Sequence, residues 1–85
     1  MASKRKPYND DAGYICSRKC ADGGHVVVYD RQNGGDWIDG TTRWVVAKYD
    51  ADRANQGLLD MPTKLDALHQ MKGTATGEFN DWYGA

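Results

Sequence analysis

Residues 43–49 read Arg-Trp-Val-Val-Ala-Lys-Tyr, and this heptapeptide decides the fold. β-Branched and aromatic residues favour extended chain, and successive side chains of a strand go to opposite faces. Trp44 and Val46 then point one way while Val45, Ala47 and Tyr49 point the other. With apolar groups on both faces, the heptapeptide predicts a strand in the interior of a sheet rather than at its edge. Toward the N-terminus, Tyr14 to Cys20 and His25 to Arg31 are both extended in character and flank Ala21-Asp22-Gly23-Gly24. Asp-Gly supplies the positive φ that a tight hairpin turn requires, so these runs predict a hairpin. Asn33-Gly34-Gly35 and Gly40-Thr41-Thr42 mark a reversal before the heptapeptide, with Trp37-Ile38 between them.

Toward the C-terminus, Asp50 to Gly57 reads as a polar loop and Leu58-Leu59 as a short extended segment. Thr63 three residues before Asp66 is a capping-box-like start for one helix, and Pro62 favours extended chain entering it. Leu65, Leu68 and Met71 give that helix a narrow apolar stripe, and Gly73 is placed to cap its end. About nine residues at ~1.5 Å each make a helix of ~14 Å, too short to stand without packing on the sheet. Phe79, Trp82 and Tyr83 read as an aromatic lock folding back over the core, or else as an adhesive tail. The expected fold class is α+β: a small antiparallel sheet of three or four strands against one short helix. Residues 1–12, polar and aperiodic with Pro7, are expected to form a disordered basic arm, and residues 13–85 a single small domain.

Composition limits what such a domain can do. The chain has 85 residues, enough for one core and too few for a two-lobed enzyme with a buried cofactor crevice. Leu, Ile, Val and Phe together number 12, so the nine aromatics must supply much of the core. A core this thin is expected to leave some aromatics outside. The net charge of −1 divides into +3 over residues 1–20 and −4 over the remainder. An acidic body disfavours broad phosphate binding, which draws its affinity from many Lys and Arg contacts. No apolar run suits a signal peptide or a bilayer span, so the expected setting is the cytoplasm, of a host cell if the chain is phage-borne, with the two cysteines as thiols.

Within these limits three kinds of chemistry are conceivable: metal binding, catalysis and nucleic-acid binding. Cys16, Cys20, His25 and His69 are ligand types suited to a structural zinc, the one cofactor the sequence raises. Residues four apart on a straight strand lie roughly 13 Å from each other, so Cys16 and Cys20 share an ion only across a bulge or turn. Asp50-Ala-Asp52 starts like a calcium loop but fails at Ala54, Asn55 and Met61, which leaves turn-forming aspartates. No phosphate-binding glycine loop and no nucleophile with a histidine at a recognisable offset is present, so the expectation is a protein that is not an enzyme. Nucleic-acid binding by a sheet face would use Arg31 and Arg43 with Lys4, Arg5 and Lys6 of the arm, beside Trp37 and Trp44. The bland alternative is that Trp44 is core and that both arginines pair with nearby aspartates.

Thr42-Arg43-Trp44-Val45-Val46, the loop after it, the short Leu-rich segment, Thr63 with its helix, and Asp81-Trp82 near the end form a pattern. In this the chain resembles short uncharacterised proteins of actinobacterial phages and mobile elements, over residues 42–83. Such proteins often carry cysteines where this chain has Ala47 and Tyr83, which puts any shared metal or thiol role in doubt. The resemblance implies an accessory protein that binds and blocks or redirects a host component, as an inhibitor in host takeover or counter-defence. The surface expected to bind combines Trp37, Trp82 and Tyr83 with acidic loops at Asp36, Asp39, Asp50 and Asp52. The expected partner is a host protein or protein complex, basic in character, with nucleic acid as the alternative, no membrane, and self-association as a homodimer a further expectation.

Overall fold

A computed structural model describes residues 10–38 and 40–77. Four strands and one α-helix follow in order: β1 (Tyr14–Lys19), β2 (His25–Asp30), β3 (Trp44–Tyr49), β4 (Asn55–Met61) and α1 (Lys64–Thr76). The strands form one antiparallel sheet in the order β1-β2-β3-β4, each paired with its neighbours in the chain. The α+β class and the interior placement of β3 are therefore as the heptapeptide predicts.

Alternation divides the core in two. Val27, Tyr29, Val45 and Ala47 lie on one face with Ile38, and Tyr14 and Tyr49 pack against them. Val26, Val28 and Val46 lie on the other face with Cys20 and the helix residues Ala67 and Met71. The helix covers the second face, while the β2–β3 connection folds Ile38 onto the first.

That connection is tied by Asp30. Its carboxylate accepts from the backbone N–H of Gln32, the Asn33 amide and the Arg43 guanidinium, which binds with both Nε and Nη2 at 2.9 Å. A short 3-10 turn, Arg31–Asn33, starts on this cap and ends at Gly34 in the left-handed region. Gly13 closes the same corner at φ 82°. A Cβ there would sit 2.7 Å from the Asp30 carbonyl oxygen and 2.6 Å from the Gly35 nitrogen, so sterics and backbone sign both demand glycine.

Several expectations change. The polar loop is shorter than Asp50 to Gly57, because β4 already begins at Asn55. Helix α1 has 13 residues instead of about nine, and Gly73 lies buried inside it; the cap is Gly77, at φ 86°, whose N–H reaches the Thr74 carbonyl. The extra turn packs, since Thr74 is buried and Ala75 sits against the core. Leu65 is not core but 78% exposed. At about 100° per residue, Leu65 lies ~160° around the helix from Ala67, so the three-residue spacing of the stripe had drifted off the buried face. The ordered contacts also start before Gly13: Asp11 accepts a 2.6 Å hydrogen bond from the Tyr29 hydroxyl, and the Ala12 carbonyl accepts one from Trp37. The aromatic lock of Phe79, Trp82 and Tyr83 lies outside the described residues.

Candidate functional site

Trp37 stands in the β2–β3 connection with 52% of its surface exposed, in line with an outward-facing indole. It is nonetheless held in place. Its indole N–H donates to the Ala12 carbonyl at 2.8 Å, and its ring meets Tyr29 edge-on at a centroid separation of 5.3 Å. Tyr29 in turn is buried and donates to Asp11, with the Tyr49 hydroxyl 3.3 Å away. Burial, then these hydrogen bonds, push the Tyr29 phenol far above its ordinary titration range, so it stays neutral. The indole therefore presents one half-open side on a fixed pedestal.

The acidic residues expected around it do not form one surface. Asp36 is an exposed neighbour in the same connection, whereas Asp50 and Asp52 lie in the β3–β4 turn at the far end of β3. Five residue steps of strand, ~17 Å, separate the two ends. Asp50 is moreover engaged as a turn former: one oxygen accepts from the Asp52 and Ala54 amides, and the other from the Gln56 side chain. Asp39, Trp82 and Tyr83 lie outside the described residues.

Of the nucleic-acid candidates, Lys4, Arg5 and Lys6 also lie outside the described residues. Arg31 pairs with no aspartate among the described residues; it donates to the Ile38 and Thr42 carbonyls at 2.9 and 3.3 Å. Arg43 does pair, with Asp30, and its guanidinium lies over the Trp44 ring at 4.5 Å. Trp44 is thereby half-buried, one side on the core and one under the cation. Both arginines are spent on holding the corner. Sequence reasoning passed over Asp30, although an aspartate followed at i+3 by Asn-Gly is a turn signal that points to it.

The zinc set is likewise not assembled. Among the described residues no three His, Cys, Asp or Glu side chains gather as a metal site. Cys16 lies 3.6 Å from the Met71 sulfur. Cys20 is buried, which raises its thiol pKa despite the attraction of nearby Lys48. His69 is on the exposed side of α1. His25 is disfavoured as a cation, first by burial and then by Lys19, Arg53 and Lys48.

A groove of about 1020 Å³ lies between β1 and α1, with no counterpart among the site residues expected from the linear chain. Cys16, Leu68, Met71 and Ala75 give it an apolar lining, and Arg18, Lys19, His25 and Lys72 a basic one. Its cations come from β1 and α1, 53 positions apart, which is why no linear run announced it. Among the described residues no helix is long and apolar enough to cross a membrane. Comparison with protein-family models, with curated proteins and with solved structures finds no match for this chain.

Proposed function

We propose that this chain is a small non-enzymatic accessory protein, of the phage or mobile-element kind its Arg-Trp-Val-Val strand resembles, that binds a host macromolecule and blocks or redirects it. The observation that carries this reading is the fixed, half-open indole of Trp37. An aromatic ring already ordered before contact loses little entropy on binding, and such rings dominate interface energetics. The groups with displaced titration also fit a binding role. Tyr29, Asp22 and Asp30 are each committed to hydrogen bonds within the fold, and structural networks of this kind displace titration with no catalytic role. Asp36 beside the indole favours a basic partner.

The test is recovery of a partner from host lysate by the intact chain, by Trp37→Ala and by Asp36→Lys. Loss of an anchor worth ~2 kcal/mol corresponds to roughly 30-fold weaker capture. The expected result is one protein recovered by the intact chain, and depleted with either variant while each variant stays folded by circular dichroism at the assay temperature. Equal recovery by all three refutes the assignment of Trp37 to the binding surface.

A further inference from the structure

The groove lies on the helix-covered face of the sheet, away from Trp37, and the function proposed above makes no use of it. Three observations define what it would accept. Arg18, Lys19 and Lys72 are exposed and line it, with no acidic side chain among its described lining residues. The ion pairs among the described residues are Arg43–Asp30 and Lys48–Asp22, so these three cations have no carboxylate partner there. Second, Leu68, Met71, Ala75 and Cys16 supply an apolar side, and thioethers adapt to ligands of varied shape. Third, β1 pairs with β2 alone, so its other edge carries no strand among the described residues. Such an edge is a template for one more strand.

We propose that the groove binds an extended acidic peptide, which adds to the edge of β1 and alternates carboxylates with apolar side chains. Alternation along an extended ligand sends its side chains to two sides. One set meets Arg18 and Lys72, with Lys19 at the strand end adding positive charge nearby; the other enters against Leu68, Met71 and Ala75. A volume of about 1020 Å³ holds several such side chains. A single-stranded nucleic acid is the poorer occupant, because it grips proteins by stacking bases on aromatic rings, and among the described residues no aromatic side chain lines this groove.

The experiment uses fluorescein-labelled twelve-residue peptides in which Glu alternates with Leu, Phe or Trp. Anisotropy is titrated against the full chain, and a single-stranded oligonucleotide of equal charge serves for comparison. At least one peptide is expected to bind, to weaken as salt rises, and to protect the amides of residues 14–19 from hydrogen exchange. The double variant Arg18→Glu, Lys72→Glu is expected to bind at least ~10-fold more weakly with its melting temperature little changed, since both side chains are exposed and pair with no carboxylate among the described residues. No binding by any of the three peptides overturns the proposal, as does equal affinity in the double variant or tighter binding of the oligonucleotide. A dimer abolished by the same two substitutions would assign the groove to a second copy and overturn it as well. Trp37→Ala leaves every one of these readings unaltered, so the groove and the indole stand or fall separately.

Discussion

Asp30 meets four donors with two oxygens while almost wholly removed from water. Arg43, above all, holds its carboxyl below the usual carboxylate range, with burial working against it. A depressed folded pKa means that the stabilisation is complete above the unfolded value of ~3.9 and is lost as pH falls through the lower folded one. Thermal melts taken from pH 7 down to pH 2 should therefore show a steep acid limb that Asp30→Asn flattens; the same limb in that variant would contradict the assignment. Asp30→Ala should cost about 3 kcal/mol by chemical denaturation, the low end for a broken buried pair, because the Arg43 side chain keeps 41% exposure and can turn to water. His25 belongs to the same scale. Its folded pKa is also lowered, so its contribution is full above the unfolded ~6.5 and declines as pH falls below that. His25→Gln should remove this upper, shallower step from the melts and leave the acid limb in place.

At the scale of elements, the strands and the reversal between them were legible because alternation and Asp-Gly or Asn-Gly signals act over neighbouring residues. Tyr14 to Lys19 and His25 to Asp30 lie within one residue of the runs read from sequence, and β3 begins one residue inside its heptapeptide. The helix was legible at its start, where Thr63 accepts from the Asp66 amide, and not at its end. Gly73 carries the local stop signal, but burial of Thr74 and packing of Ala75 outweigh it, and that is tertiary information. The candidate site was read less well. Trp37 was found from composition, whereas its pedestal of Ala12 and Tyr29 and the groove depend on contacts far apart in sequence. The helix face gives a direct check. Ala67 is wholly buried beneath α1, so Ala67→Leu should overpack the interface and cost ~1–3 kcal/mol. Leu65→Ala should fall within about 0.5 kcal/mol of the parent, as surface changes do. Urea denaturation of both variants separates this geometry from the leucine stripe, which predicts the reverse order.

For the whole molecule, the two-sided sheet puts the indole and the basic groove on opposite faces with β2 and β3 between them. The thiols report on the same architecture. Cys16 is partly accessible in the groove and Cys20 is enclosed with a raised pKa, so alkylation by iodoacetamide at neutral pH should mark Cys16 first. Simultaneous labelling of both would mean that the hairpin end opens readily. The simple succession of strands carries a kinetic consequence as well. Each pairing joins chain neighbours, and the longest connection between paired strands is the stretch from Arg31 to Arg43. Loop closure costs grow with the logarithm of loop length, so no distant ends have to search for one another before the first contacts reward them. The protein is built to assemble from adjacent hairpins outward, with the Asp30 corner as its slowest and longest closure.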